Sequence, residues 1–257
     1  AGGDCRLRLI NADPTRIVTL AVEGTPAVVA AIDGIAVAPF PLTAWSLGPA
    51  MRIDVILRAP APDGSAALFD TAQGERVRLA RFSGRGPALD RGRFDPRPLR
   101  AGAIPAPDLR RAERLRFRLG ATEIGKALFG PASAGPPIGT LCLSANTFWS
   151  INARSWPDRD HARLPPPLAT LKRGRSYRLE LTNATDFTHP IHIHGHTFTF
   201  LSASRVRRPP HFTDTVLVHP SETVEVAFLA DNPGDWMLHC HVIEHQETGM
   251  MGYLRVA

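Results

Sequence analysis

The first 160 residues of this 257-residue chain contain no histidine; all ten stand from His161 onward. Imidazole chemistry is therefore excluded from the N-terminal part. Lysine is nearly absent, with only Lys126 and Lys172, so the net charge of +6 is an arginine charge. Those arginines are scattered and alternate with apolar residues, as in Arg6/Arg8, Arg76/Arg78 and Arg114/Arg116/Arg118, the pattern of strand faces turned to solvent. No basic cluster with interleaved aromatics occurs, which argues against a nucleic-acid partner. No apolar run approaches the ~18 residues a membrane helix needs, so a soluble globular chain with no membrane partner is expected. There are three cysteines; Cys5 and Cys142 could pair, but nothing in their spacing requires it, and buried thiols are the blander reading. Ala1-Gly2-Gly3 does not resemble a signal peptide, which is uninformative for a processed or truncated chain.

What is abundant is glycine (21) and proline (24), between short alternating segments. Together they predict an all-β architecture with little helix. The length fits one or two domains at roughly 150 residues each. An internal repeat decides for two. Cys5-Arg6-Leu7-Arg8-Leu9-Ile10-Asn11-Ala12 matches Tyr177-Arg178-Leu179-Glu180-Leu181-Thr182-Asn183-Ala184 at a separation of 172. The segment from Gly48 to Leu57 matches that from His219 to Phe228 at 171, and Gly64 matches Gly234 at 170. Three correspondences in order indicate a duplicated domain. Counting along the first copy places Ile17, Leu20 and Val22 where the second has His189, His192 and His194. Phe69, Asp70 and Thr71 fall where it has His239, Cys240 and His241. The first copy is thus expected to keep the fold without metal ligands. Residues 91–110, rich in Pro, Gly and Arg, read as the linker, which gives domains 1–100 and 101–257. Gly130 to Gly139 and Leu164 to Leu168 are expected as surface loops.

The chemistry lies in two segments. Trp236-Met237-Leu238-His239-Cys240-His241-Val242 reads as a strand, on which His239 and His241 share one face and the Cys240 sulfur takes the other. A thiolate, two imidazoles and a weak axial thioether form the ligand set of a blue-copper site. Cys240, His245 and Met250 supply three of these, with a helical turn near Glu244–Thr248 bringing His245 back over Cys240. The second segment is Thr188-His189-Pro190-Ile191-His192-Ile193-His194-Gly195-His196. His192 and His194, two apart, share a face with tips roughly 6–7 Å apart. His189, before a proline, is free to point elsewhere. The economical assembly has a mononuclear site of His189, Cys240, His245 and Met250, and part of a multinuclear cluster from His192, His194, His239 and His241.

These two segments resemble the last two copper-binding motifs of the multicopper oxidases, the laccase-like family: His-Pro-x-His-x-His-Gly-His, then His-Cys-His, three residues, His, four residues and Met. The resemblance implies His189, Cys240, His245 and Met250 as type 1 copper ligands, His192 as a type 2 ligand, and His194, His239 and His241 as type 3 ligands. It names the fold as two cupredoxin-like Greek-key β-sandwiches, the second and third domains of a three-domain enzyme. It further implies oxidation of a small reducing substrate (a phenol, aromatic amine or metal ion) at the type 1 copper. Electrons would pass through Cys240, His239 and His241, the catalytic residues, to a trinuclear cluster that reduces O2 to water. The family's cluster takes eight histidines, and four matching positions exist here. The chain is therefore expected to be the latter two-thirds of a larger oxidase, needing a missing N-terminal cupredoxin domain as partner. A periplasmic or secreted location follows from the same likeness.

Several readings stay open at this level. His196 matches a position that is not a ligand and is expected to support one, while His161, His211 and His219 read as ordinary. Met251 competes with Met250 for the axial place, and the family register favours Met250. Asp214 either orients a ligand imidazole or caps a turn. Zinc also takes Cys and His, but the thioether suits copper better. Gln246 stands where some relatives carry an acid linked to proton delivery. With only four methionines and no methionine-rich segment near the type 1 motifs, a dedicated cuprous-ion site is disfavoured. Trp156, Asp158 and Asp186 are guesses for the substrate side. The alternative function is a blue-copper electron-transfer or copper-binding module without oxygen chemistry. Acid is expected to weaken copper binding as imidazoles protonate.

Overall fold

The alternating segments fold as strands. In the computed structural model of the chain, residues 1–72, 74–129, 147–156 and 164–257 are described, and they cluster into two units, Ala1–Ala103 and Ile104–Ala257. The first unit contains β1 (Asp4–Ile10), β2 (Val18–Glu23), β3 (Ala27–Ile32), β4 (Ile35–Pro41), β5 (Trp45–Leu47), β6 (Arg52–Arg58), β7 (Ser65–Asp70) and β8 (Val77–Ser83). They form two sheets, ordered β1-β6-β3-β4 and β5-β2-β7-β8. Arg6 and Arg8 do stand on the outer face of β1, but both guanidiniums bond the Asp54 carboxylate on β6. Burial of Asp54 favours its neutral form, and the two arginines outweigh that and hold its pKa below the usual range.

The second unit opens with β9 (Glu113–Ala121) and α1 (Glu123–Phe129), then β10 (Trp149–Ile151), β11 (Ala169–Leu171), β12 (Ser176–Asn183) and β13 (His189–Ile193). β14 (Phe198–Ala203), β15 (His211–Thr213), β16 (Thr215–Val218), β17 (Thr223–Leu229), β18 (Gly234–Cys240), α2 (Ile243–Glu247) and β19 (Met251–Val256) complete it. The sheets are β10-β9-β12-β17-β14-β15 and β11-β19-β18-β13-β16. Apolar residues of both inner faces, among them Leu179, Val226, Ile191, Leu238 and Leu254, share one buried core. Each such side chain contributes about 1.5–3 kcal/mol on leaving water. No helix among the described residues is long and apolar enough to cross a membrane.

The duplication is visible strand by strand. The order β1-β6-β3-β4 recurs as β12-β17-β14-β15, and β5-β2-β7-β8 recurs as β16-β13-β18-β19. Register agrees too: Leu7 pairs with Val55 as Leu179 pairs with Val226. At the metal segments, however, the pairing corrects the count made along the sequence. Val18 pairs with Leu47 as His189 pairs with Val218. Ala21 pairs with Phe69 as His192 pairs with His239. The counterparts of His189 and His192 are therefore Val18 and Ala21, not Ile17 and Leu20; by the same register Glu23, not Val22, stands for His194. The first copy's loop between Asn11 and Val18 has one residue more than the loop between Asn183 and His189, and a one-residue slip flips every side chain to the other face. Asp70 does stand at the place of Cys240, paired with Leu20 as Cys240 is with Ile191. There its carboxylate accepts from the backbone N–H of Thr19 (2.9 Å) and Ala72 (3.0 Å).

Candidate metal centre

Strand alternation sorts the histidines. β13 and β18 are neighbours, and Ile191 lies opposite Cys240 while His192 lies opposite His239. Odd-numbered β13 residues thus share the Cys240 face, and His192 falls on the other. His189 reaches Cys240 by this alternation from within β13, with the extended backbone that Pro190 favours before it. α2 follows β18 at once and returns His245 over the sulfur. His189 Nδ1 lies 3.7 Å and His245 Nδ1 3.6 Å from Cys240 Sγ, and the two nitrogens are 3.0 Å apart. A circle through those three atoms has a radius of about 2 Å, close to metal–nitrogen bonding distance. Among the described residues, this is the group of potential ligands whose donor atoms converge within 4.8 Å.

The pocket is dry. Cys240, His189 and Met250 are fully buried. Met250 belongs to the same core as Cys240, whereas Met251 joins Trp156 and Tyr253 in a separate cluster. Trp156 is buried there. Trp149 walls the centre, with ring centroids 5.5 Å from His189 and 4.7 Å from His245. Phe187, 37% exposed, stands 5.8 Å from the His245 ring. Neither aromatic was singled out from the sequence, because each sits outside the two histidine segments. Asp186, beside Phe187, is exposed.

Burial sets the protonation. It lowers His189 well below the ordinary imidazole value, with its neighbour His245 adding to the effect. Burial also lowers His245 to about 4 and raises the Cys240 thiol well above its usual value. The metal-free site is therefore two neutral imidazoles and a protonated thiol.

The second group faces away. His194 Nε2 and His239 Nε2 meet at 2.9 Å, and the His192 ring centroid lies 4.6 Å from that of His241. His192 Nδ1 donates to the Asp214 carbonyl at 2.7 Å, which frees its Nε2. Asp214 thus orients the ring through its backbone, while its carboxylate accepts from Thr215 Oγ1. His239 Nδ1 donates to the Cys240 carbonyl at 2.9 Å. Burial lowers His192 and His239 to about 4 each. These four imidazoles do not close to a three-ligand group among the described residues. His196 turns aside, its ring 5.0 Å from Phe228 and 5.8 Å from Trp236. His211 stacks on Phe200, and His219 bonds Thr188 Oγ1. His161, Asp158, Cys142 and residues 130–139, expected as a loop, lie outside the described residues; Cys5 is exposed.

Gly195, between the two histidines, turns the chain at φ +68°, and a Cβ there would lie 2.3 Å from the Trp236 ring. Gly195→Ala should cost about 3 kcal/mol from left-handed strain and overpacking together. Urea unfolding of the metal-free chain measures it; a loss below about 1 kcal/mol would show that Trp236 moves freely.

The donor set fits copper: one sulfur and two imidazole nitrogens in an apolar pocket, with no carboxylate in the converging group. A profile of the multicopper oxidase family matches residues 143–257. The multicopper oxidase MmcO of Mycobacterium tuberculosis is 33% identical over 258 residues, covering 97% of this chain and 45% of that protein. The solved multi-copper oxidase of Pseudomonas thermotolerans superposes with a TM-score of 0.81 at 36% identity, covering 99% of this chain and 55% of that one. That of Pseudomonas parafulva gives 0.78 at 36%, covering all of this chain and 56% of that one. The chain belongs to the multicopper oxidase family. As a family member it has copper as its cofactor and cupredoxin-like sandwiches as its fold. It spans about half the length of the relatives it matches.

Proposed function

We propose that this multicopper oxidase chain takes electrons singly from a small reducing substrate and delivers them to a trinuclear centre where O2 is reduced to water. His189, Cys240, His245 and Met250 would hold the type 1 copper in this reading. His192 is a type 2 ligand, and His194, His239 and His241 are type 3 ligands. Copper held by these residues would supply the one-electron redox chemistry. The observation that carries the reading is the placement of Cys240. Its sulfur meets His189 and His245 on one face of β18, while His239 and His241, each one peptide away, join the other imidazole group. The chain itself thus supplies a covalent route between the two groups.

Other features support the finer parts. Met250 shares the Cys240 core and Met251 does not, which favours Met250 as the thioether. Phe187, exposed against His245, favours entry of an aromatic reductant at that edge. A phenol or aromatic amine suits it, and a metal ion is the other substrate class the family resemblance suggests. The unclosed four-imidazole group favours completion by four histidines of an N-terminal cupredoxin domain. A periplasmic or secreted setting is part of the same reading. Copper titration of the isolated chain, with counting of bound ions and O2 uptake on a phenolic or ferrous reductant, tests it. One tight blue copper with negligible O2 uptake is expected. A fully occupied trinuclear centre in the monomer would contradict the need for a partner domain. Should O2 uptake stay absent when that domain is restored, the chain is an electron-transfer module.

A further inference from the structure

The duplication singles out one residue beside the metal centre. In both copies an asparagine at the end of a matching strand, β1 or β12, braces the loop that follows. Asn11 Nδ2 donates to the carbonyls of Arg16 (2.7 Å) and Leu47 (3.0 Å), and its Oδ1 accepts from Asp13 N–H (3.1 Å). Asn183 does the same with Phe187 (2.7 Å), Val218 (2.9 Å) and Thr185 N–H (2.9 Å). The frame therefore stands with or without a metal beside it. What differs is the side chain two residues on. Asp13 turns its carboxylate to the backbone N–H of Thr15 (2.8 Å) and Arg16 (2.9 Å). Thr185, 2% exposed, sends its hydroxyl inward to within 2.7 Å of His189 Nε2 and 2.9 Å of Asn183 Oδ1.

We propose that Thr185 is a positioning residue for the metal centre, holding His189 in the tautomer that leaves Nδ1 free for copper. The inference rests on the type 1 reading above. A neutral imidazole that gives its Nδ1 lone pair to a metal carries its proton on Nε2. That N–H donates to Thr185 Oγ1, and the hydroxyl donates in turn to Asn183 Oδ1. The amide cannot turn round, because its NH2 is committed to two carbonyls. Such a chain fixes the ring and raises its basicity, which favours cupric over cuprous copper.

Thr185→Val keeps the shape and removes the acceptor. In the full 257-residue chain, this variant should bind copper roughly 10–100-fold more weakly and show a raised reduction potential. Its metal-free circular dichroism should be unchanged, since the Asn183 frame remains. Thr185→Ser should restore affinity and potential. Equal affinity and potential in Thr185→Val, or a Thr185→Ser variant as altered as it, would overturn the proposal. An independent reading needs no variant: in the copper(I)-loaded wild-type chain, NMR should show a slowly exchanging His189 Nε2–H, and a missing or fast-exchanging proton would overturn it. If the wild-type chain shows no thiolate–copper absorption at all, the type 1 reading itself fails.

Discussion

Copper-loaded Cys240→Ser is expected to be colourless. The intense visible absorption of a blue site comes from charge transfer between a thiolate and copper, and the serine hydroxyl is a hard donor that stays protonated. Copper affinity at this site should fall by more than the roughly 10–100-fold typical of losing an outer-shell partner. The fold should survive, because sulfur-to-oxygen exchange changes little volume; the buried hydroxyl costs about 1–2 kcal/mol in melting experiments on the metal-free chain. Retained colour in Cys240→Ser would mean that another group holds the copper. Since Cys5 is exposed and lies in the other unit, a Cys5→Ser control should leave the spectrum untouched.

The second large effect is on pH. Burial lowers His245 to about 4 and His189 well below the ordinary imidazole value, while it holds the Cys240 thiol protonated through the neutral range. Copper binding must then displace one proton, the thiol's, and no imidazole proton between about pH 5 and 8. Affinity should rise about tenfold per pH unit across that interval, near a thousandfold in all. The slope steepens only below about pH 4, where His245 begins to charge. Acid therefore weakens binding through the sulfur first, and imidazole protonation adds to it only at lower pH. Anaerobic copper(I) competition titrations measure the slope. A flat profile would mean the thiol is already ionised, and a slope of two or more near pH 6.5 would mean that histidines titrate there.

Much of this was legible in the residues. Period-two alternation placed His239 and His241 opposite the Cys240 sulfur, and strand and short-helix spacing then gathered His189 and His245 around it. The repeat was legible as well, because Asn11/Asn183 and the strands before them align without gaps. The register of the first copy was not. Ile17, Val18, Leu20 and Ala21 are all apolar, so hydrophobic pattern cannot tell one alignment from its neighbour; only the pairing of Val18 with Leu47 could. Thr185 escaped notice because a loop, not a strand, aims its hydroxyl, and loops carry no periodicity. Arg6 and Arg8 were read correctly as outward-facing, but their bonds to Asp54 depend on a strand nearly fifty residues away.

At the place of Cys240 the first unit has Asp70, whose carboxylate ties the Thr19 and Ala72 amides and faces Arg16 at 3.7 Å. Hydrogen bonds to this side chain link strand and loop at the place where the second unit has a candidate metal ligand.

The most direct measurement is anomalous diffraction at the copper edge from crystals of the copper-loaded chain. We predict one peak bonded to Cys240 Sγ and to Nδ1 of both His189 and His245, with any further copper on the opposite face of β18 among the four remaining ligand imidazoles. A bare Cys240 sulfur, or a single ion shared by His239 and His245, would contradict the account.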